Sequence, residues 1–359
     1  MQYSLNKPAA KSTQVESAGD EREVRGLLPS PYLLFLGDIV EPGYAKTAFG
    51  LRDWAPDRCV GELVLANGCV TTGLARLSVR EASERGARAL LIGVATRGGQ
   101  VPEHWLPTLF EALGNGLDIV SGMHMRLNEI PELVAEARRF GRRLIDVRVP
   151  PKDIPVASGR KRSGRRLLTV GTDCALGKKY TALSIVRGLS ARGLDVDFRA
   201  TGQTGIMIAG AGIPIDAVVS DFVAGAAELL SPDAPPDHLD VIEGQGSLFH
   251  PSYAAVTLGL LHGSQPDLFV VCHDPGRTHV LGLPDFALPS IEEVIAQTVA
   301  LGRLVNPAIR CCGISLNTSA LEDDAAAEAI AATARRLGLP VADPVRGIGL
   351  EALLDACAT

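Results

Sequence analysis

Apolar and polar positions along the chain follow the rhythm of a short buried strand, a loop and an amphipathic helix. From residue 31 onward, short apolar runs alternate with stretches whose apolar residues recur at helical spacing. In the first half this pattern predicts strands at residues 32–36, 89–94, 118–120 and 143–147, and helices at 79–85, 107–114 and 129–140. Such alternation is typical of βαβ units, which build a mainly parallel sheet.

The same pattern starts again in the second half. It predicts strands at residues 165–170, 196–200, 239–242, 268–272 and 309–315, and helices at 178–192, 220–230, 291–301, 323–337 and 349–357. Right-handed crossovers bring the carboxyl ends of these strands to one edge of the sheet, where ligands of open α/β sheets bind. We therefore expect the functional loops of this half to meet at that edge.

From composition and pattern, we predict that the 359 residues form four parts. Residues 1–30 are predicted to be a flexible N-terminal extension, and 31–150 a first domain. A proline-rich and then basic stretch at 151–164 is the predicted linker to a second domain at 165–359. The end of this linker and the residues after it form a basic cluster of Arg160, Lys161, Arg162, Arg165 and Arg166. This cluster could contact a phosphorylated ligand, but we favour a solvated hinge.

The strand at residues 165–170 runs into a glycine-bounded loop that ends where a helix begins. Loops of this kind bind phosphate through backbone N–H groups, the positive end of the helix and a lysine ammonium. The predicted phosphate-binding residues are Gly171, Thr172, Asp173, Cys174, Ala175, Leu176, Gly177, Lys178 and Lys179. The second half is therefore predicted to be a P-loop NTPase-like parallel sheet.

Two departures from the usual P-loop affect the choice of ligand. Five residues separate Gly171 from Gly177 instead of four, and Lys179 replaces the Ser or Thr that holds Mg²⁺ in nucleotide hydrolases. A second cation here favours a phosphate ligand that needs no metal, and we predict no metal site. Asp173 could be a magnesium ligand or the cap of a turn, and the sequence favours neither role over the other.

The first half is predicted to be a Rossmann-like parallel sheet without a dinucleotide site. The turn after its first strand, at residues 37–43, lacks the GxGxxG pattern that binds a pyrophosphate. Two further strand-end loops, at 93–100 and 121–124, are expected to form either the opposite wall of a cleft between the domains or a packing interface. The predicted fold class is α/β with two domains.

A glycine-rich run at residues 201–212 follows the second strand of the second half. Its four glycines would let the backbone approach a ligand closely or close over it. The alternative is a mobile loop that contacts no ligand. Gln203 and Thr204 in this run are candidate substrate-binding residues.

Chemically active side chains follow the next two strands. Glu243 ends an apolar strand downstream of the P-loop, where a Walker-B-type carboxylate lies, and could bind metal, orient water or remove a proton. The turn after it, with Ser247, offers donors that could polarise a carbonyl. His250 and His273 are candidate general bases, and Arg277 is a candidate for binding a substrate carboxylate. The alternatives are that the two histidines are structural and that the polar groups of the turn hydrogen-bond only to one another.

Composition and charge narrow the class of partner. A net charge of −6 and a pI near 5.7 give no broad basic surface for nucleic acid or an anionic membrane. Seven scattered cysteines without CxxC spacing, and no apolar run of about 18 residues, lead us to expect a cytoplasmic protein. We expect small-molecule substrates and a homo-oligomer.

Taken together, the motifs resemble those of one bacterial family. The resemblance rests on the P-loop at 171–179, Thr-Gly-Gln-Thr-Gly at 201–205, the run at 243–251 and His-Gly-Ser-Gln-Pro-Asp at 262–267. From about residue 31 to its end, the chain is similar to the DgcN-type D-glutamate N-acetyltransferase family, formerly a domain of unknown function. This resemblance implies a Rossmann-like N-terminal domain, a P-loop C-terminal domain and acetyl transfer from acetyl-CoA to D-glutamate in D-amino-acid catabolism.

Three hypotheses follow. In the first, Lys178 and Lys179 hold the phosphates of acetyl-CoA, and an acidic amino acid attacks the thioester after Glu243, His250 or His273 removes a proton from its amine. In the second, the P-loop, which is also similar to that of dethiobiotin synthetase, binds ATP and Mg²⁺ in a kinase or ligase. In the third, a sensor binds a phosphorylated metabolite without turnover. We favour acetyl transfer, with D-glutamate as the expected acceptor.

Overall fold

The computed structural model describes residues 28–359, which form two α/β units. Residues 1–27, most of the predicted flexible extension, lie outside the described part of the chain. Each unit is built on a parallel sheet, with five strands in the first and six in the second. The predicted α/β class with two parallel sheets is confirmed.

The first sheet contains, in chain order, β1 (Tyr32–Gly37), β2 (Cys59–Val64), β3 (Ala89–Ile92), β4 (Asp118–Ser121) and β5 (Leu144–Asp146). The connecting helices are α1 (Lys46–Trp54), α2 (Val79–Glu84), α3 (Leu106–Gly114) and α4 (Pro131–Phe140). Across the sheet the order is β2-β1-β3-β4-β5, so the direction of winding reverses between β1 and β3. β1 is buried along its whole length, as expected of a central parallel strand.

The second sheet contains β6 (Arg165–Gly171), β7 (Val196–Arg199), β8 (Leu239–Ile242) and β9 (Leu268–His273). A separate antiparallel pair, β10 (His279–Val280) and β11 (Leu283–Ala287), precedes the last two sheet strands, β12 (Arg310–Leu316) and β13 (Val341–Ala342). The helices are α5 (Lys178–Ala191), α6 (Gln203–Ala209), α7 (Val223–Leu230), α8 (Ala254–Ser264), α9 (Ile291–Gly302), α10 (Asp323–Leu337) and α11 (Leu350–Ala358). None of the helices within residues 28–359 is both long and apolar enough to cross a membrane.

The central position of β6 determines where the functional loops meet. The sheet order is β13-β12-β9-β6-β8-β7, so β6 pairs with β9 on one side and β8 on the other. Gly171 at the end of β6 is in register with Cys272, next to His273, and Leu168 is in register with Ile242, next to Glu243. The P-loop and both of these side chains therefore leave the same edge of the sheet, as the sequence predicts.

The boundary between the units includes two helices, α1 and α6, that the sequence pattern does not predict. The glycine-rich run expected to be a loop instead forms α6, which packs against α1 of the first unit. Thr204 Oγ1 of α6 lies 2.7 Å from Thr47 Oγ1 of α1, and the Tyr180 ring of α5 meets the Trp54 ring edge-on at 5.7 Å. Glycines lower helix propensity, so α6 depends on these tertiary contacts for its stability.

The predicted solvated hinge is wrong for two of its arginines. Arg162 and Arg166 are only 6% and 1% exposed. Arg162 Nε donates to the Ser231 carbonyl at 2.7 Å, and Arg166 Nη2 donates to the Pro232 carbonyl at 2.8 Å. These carbonyls follow the end of α7, where a cation offsets the negative end of the helix. The linker is therefore fixed to the second unit.

Gly225 of α7 provides a test of this packing. A Cβ at Gly225 would lie 1.8 Å from the Pro155 carbonyl oxygen of the linker. Alanine in an open helix is more stable than glycine by about 0.5–1 kcal/mol, but this backbone clash outweighs that gain. We expect Gly225→Ala to lower the free energy of unfolding by about 1–3 kcal/mol in urea denaturation.

The matched control is Gly43→Ala, because a Cβ at Gly43 would have no neighbour within 4 Å. Its effect on the free energy of unfolding should stay within about 0.5 kcal/mol. Equal effects of the two substitutions would show that the linker does not pack tightly against α7.

Candidate functional site

The P-loop closes around the ammonium of Lys178, the first residue of α5. Lys178 is buried, and its Nζ donates to the Asp173 carbonyl at 2.7 Å. Ala175 and Gly177 have φ values of 54° and 102°, and these left-handed turns lead the loop into the helix. Burial lowers the pKa of Lys178. A buried lysine at a helix start after a glycine-bounded loop is the arrangement that phosphate binding requires.

Asp173 anchors the P-loop to the β10–β11 hairpin. Its carboxylate is fully buried, and Oδ1 accepts from the Cys174 N–H at 2.6 Å. Oδ2 accepts from Arg277 Nη1 at 2.9 Å and from the Leu281 N–H at 2.8 Å. Arg277 also donates to the Cys174 carbonyl at 2.9 Å. These are the contacts of a residue that caps a turn, one of the two roles predicted for Asp173. Arg277 is the ion-pair partner of Asp173.

Lys179 extends toward the boundary between the units. Its Nζ lies 5.0 Å from the centre of the Tyr180 ring and 3.4 Å from the place that a Cβ on Gly50 of α1 would take. Burial lowers the pKa of Lys179 to about 8, although the negative charge of Glu243 opposes this shift. The second lysine of the P-loop therefore places its charge between the two units.

Glu243 follows β8 and holds the start of α6. Its Oε2 accepts from the N–H groups of Thr201 and Gly202, each at 3.0 Å. Burial raises the pKa of Glu243, whereas Lys179 and the two N–H groups lower it. A Cβ at Gly205 would lie 2.3 Å from Oε2, so a glycine is needed where α6 crosses the carboxylate. The close approach expected of this glycine-rich run is therefore toward Glu243.

Ser247 and His250 lie on the loop after β8, and both are buried. Ser247 Oγ donates to the Thr172 carbonyl at 3.2 Å, which joins this loop to the P-loop. His250 Nδ1 accepts from the Ser252 N–H at 3.1 Å, so the neutral ring carries its proton on Nε2. That Nε2 lies 3.9 Å from Asp173 Oδ1. In this state His250 has no free nitrogen lone pair with which to accept a proton.

His273 ends β9 and is half-buried. Its Nδ1 lies 3.0 Å from Thr172 Oγ1 in the P-loop. Burial lowers the pKa of His273, so the ring is neutral at pH 7. In the tautomer whose Nδ1–H donates to Thr172, Nε2 is free to accept a proton. Of the two histidine candidates for the base, His273 is therefore the one whose tautomer no backbone N–H fixes against this role.

Gln203 and Thr204, the predicted substrate-binding residues of α6, face the first unit. Gln203 Oε1 accepts from Arg148 Nη1 at 3.3 Å, and Arg148 Nη2 pairs with Asp216 at 2.8 Å. Arg148 is not among the site residues predicted from the sequence. The available signal was its position two residues after β5, at the carboxyl edge of the first sheet.

A pocket of about 380 Å³ lies between the two units. Its lining includes Thr96, Gly98 and Gly99 after β3, Met123 and His124 after β4, and Arg148 and Gln203. The loops at 93–100 and 121–124 therefore contribute to the wall of a cleft, one of the two roles predicted for them. Gln203 is the residue that the second unit contributes to this lining.

The groups near the P-loop that could ligate a metal ion already have partners within the protein. Atoms of Asp173, Cys174 and His250 lie within 4.8 Å of one another, but Arg277 already supplies the positive charge next to Asp173. The usual magnesium pair in a nucleotide hydrolase is the hydroxyl after the P-loop lysine and a strand-end carboxylate. Here Lys179 replaces the hydroxyl, and Glu243 Oε2 accepts from two backbone amides.

Proteins similar to this chain carry a named activity. A relative from Tritonibacter scottomollicae is 48% identical over 332 residues, which cover 92% of this chain and 99% of the relative. A second, from a Pseudoalteromonas species, is 48% identical over 317 residues, covering 88% of this chain and 95% of the relative. Both relatives are named D-glutamate N-acetyltransferase.

The family is shown by its two domain models and by a solved structure. A crystal structure of a DUF1611 family protein from Anabaena variabilis matches with a TM-score of 0.79 and 37% identity, over 91% of this chain and 98% of that chain. The Rossmann-like domain DUF1611_N matches residues 64–150, and the P-loop domain DUF1611_C matches residues 155–354; both are described as domains of unknown function. The chain therefore belongs to the DUF1611 family.

Proposed function

We propose that this chain transfers the acetyl group of acetyl-CoA to the amine of D-glutamate. The observation that carries the proposal is the 48% identity, over 92% of the chain, to a relative named D-glutamate N-acetyltransferase. Acetyl transfer needs an acyl donor, and a P-loop is a binding site for the phosphates that CoA carries. The assignment of acetyl-CoA as the donor is part of the proposal.

The P-loop residues fit the phosphates of CoA. Lys178 is held at the centre of the loop, and Lys179, which replaces the magnesium-binding hydroxyl in the sequence, carries a second ammonium toward the boundary between the units. Two lysines can neutralise phosphate charge without a metal ion. The pantetheine arm of CoA separates its phosphates from its thioester.

The reaction forms a bond between the acceptor nitrogen and the acetyl carbonyl carbon and breaks the carbon–sulfur bond, releasing CoA as a thiol. The acceptor arrives as an ammonium and must lose a proton before it can attack. We assign this step to His273, because burial keeps its ring neutral and Thr172 orients it. The nitrogen loses a second proton after the attack; of the two protons released, one goes to the leaving thiolate and the other to solvent.

The other two base candidates are assigned positioning roles. The Nε2 of His250 carries the proton of the neutral ring, and Oε2 of Glu243 holds the start of α6. Ser247 is buried with its hydroxyl on the Thr172 carbonyl, so it fixes the shape of the P-loop.

Incubation of the full chain with acetyl-CoA and D-glutamate, while free thiol is measured, tests the proposed function. Thiol release should depend on D-glutamate and match the formation of N-acetyl-D-glutamate. L-glutamate and D- and L-aspartate are the comparison acceptors. No release above background with any of the four would overturn the proposal.

Lys179→Thr separates CoA binding from ATP binding. Removal of an ammonium that pairs with phosphate should weaken CoA binding about tenfold to a hundredfold in calorimetry, because such contacts contribute about 1.5–3 kcal/mol. The restored hydroxyl should not create magnesium-dependent ATP binding. Wild-type CoA affinity in the variant, together with new binding of Mg-ATP, would instead favour the kinase or ligase hypothesis.

Lys179→Arg is the matched control, because arginine stays charged at every pH of the assay. With a pKa of about 8, the wild-type ammonium loses its proton as the pH rises above 8. Wild-type affinity for CoA should therefore fall between pH 7 and pH 9, and Lys179→Arg should reduce this fall. The same fall in both proteins would place the titrating group elsewhere.

A pH profile tests His273. Because burial lowers its pKa, kcat/KM should rise with pH along an acid limb centred below the ordinary histidine value of about 6.5, and then level off. His273→Gln should lower kcat about 10²–10⁴-fold and remove this limb. His279→Gln, at an exposed position of the adjacent hairpin, is the control and should keep the wild-type kcat and the acid limb. An unchanged limb in His273→Gln would rule out His273 as the base.

A further inference from the structure

We infer that the pocket between the two units binds the acceptor amino acid, and that Arg148 holds one of its carboxylates. This inference rests on the proposed function and goes beyond it, because it assigns the acceptor site and its specificity-determining cation. The acceptor class is a dicarboxylic amino acid.

The pocket has the position expected of a ligand site in an open α/β sheet. Its lining includes residues that follow β3 and β4 at the carboxyl edge of the first sheet. Ligands of such sheets bind outside the carboxyl ends of the strands. A volume of about 380 Å³ is within the range of small-molecule pockets.

Arg148 has the chemistry to recognise a carboxylate there. Its side chain is 17% exposed and contributes to the pocket lining. Asp216 and Gln203 Oε1 each accept from one of its terminal nitrogens, at 2.8 Å and 3.3 Å. A guanidinium has five N–H donors, so these two contacts hold the group in place and leave donors for a ligand. A fixed guanidinium loses little further entropy when it binds a planar carboxylate.

Gln203 supplies a second polar group on the same wall. Because its Oε1 accepts from Arg148, its Nε2 amide is left as a donor. Its position depends on Gly122, where a Cβ would lie 2.9 Å from Gln203 Cβ. The glycine lets α6 approach the first unit closely enough to bring Gln203 to the pocket.

The pocket and the P-loop are joined by a short series of contacts. Gln203 begins α6, and Glu243 accepts from the N–H of Gly202, immediately before it. A Cβ at Gly244, next to Glu243, would lie 3.1 Å from Lys178 Cδ in the P-loop. A donor anchored by its phosphates at the P-loop could therefore extend its thioester toward an acceptor held between the units.

Arg277, predicted from the sequence to bind the substrate carboxylate, is less suited to this role. It donates to Asp173, a fully buried carboxylate, and to the Cys174 carbonyl. A substrate that drew Arg277 away would leave Asp173 without its charged partner inside the protein, at a substantial energetic cost. Arg148 pairs with Asp216, which is 31% exposed and can be solvated.

Steady-state kinetics of the full chain test the inference. Arg148→Gln should raise KM for D-glutamate about tenfold to a hundredfold, the loss expected for one charge-assisted contact, and leave KM for acetyl-CoA unchanged. Arg148→Lys should recover part of this loss. Calorimetric titration of D-glutamate in the presence of CoA gives a second readout that needs no turnover.

Asp216→Asn is the matched control for a purely structural role. It removes the ion pair between the units and one of the two contacts that fix Arg148, but it retains the guanidinium, so KM for D-glutamate should rise less than in Arg148→Gln. Equal increases in KM for Asp216→Asn and Arg148→Gln would mean that the ion pair only holds the units together, and would overturn the inference. An unchanged KM in Arg148→Gln would also overturn it.

The calorimetric readout distinguishes this inference from the proposed function. If the wild-type chain transfers no acetyl group but binds D-glutamate, and Arg148→Gln loses that binding, the site assignment stands and the acetyl-transfer proposal fails. If the wild type transfers acetyl groups and Arg148→Gln binds D-glutamate equally well, the proposed function stands and the acceptor site lies elsewhere.

Discussion

The buried carboxylate of Glu243 is the constraint on which the site depends. It follows β8 and holds the start of α6 through the N–H groups of Thr201 and Gly202. Burial of an unpaired carboxylate would be costly, and these two donors together with the charge of Lys179 offset that cost. Loss of the carboxylate would in turn leave two buried N–H groups without an acceptor, at about 1–3 kcal/mol each. One side chain thus links the geometry of the P-loop edge to that of the boundary between the units.

The cations of the site have different roles because they are paired with different groups. Arg277 is committed to the buried Asp173 and fixes the P-loop against the hairpin. Lys178 donates to the loop backbone, from which an incoming phosphate can recruit it without separating an ion pair. Arg148 is paired with the more exposed Asp216 at the boundary between the units. Position in the sequence does not separate these roles, because all of these cations follow strand ends. The roles are separated by how deeply the partner of each cation is buried.

Most strands of the parallel sheets were predictable because a strand buried on both faces appears as a continuous apolar run. Two strands were not predicted: β2, which is only half-buried at its ends, and β13, which has two residues. Residues 239–242, for example, have the same bounds in the sequence pattern and in the structure. The meeting of the P-loop, Glu243 and His273 followed from topology alone. α6 was not predictable, since its glycines lower helix propensity and its start is held by a carboxylate about 40 residues away in sequence. Arg148 was missed for a related reason: its partners, Gln203 and Asp216, belong to the other unit.

The division of the chain into two units has a consequence for specificity. A P-loop binds features that many phosphorylated donors share, so it can select a class of donor but carries no information about an acceptor. The first sheet has no dinucleotide motif, and its strand-end loops line the pocket instead. If the acceptor binds there, changes in those loops would alter acceptor choice without disturbing donor binding. α6 is the element that couples the two, because Gln203 contributes to the pocket while the start of the helix is held by Glu243, beside Lys179.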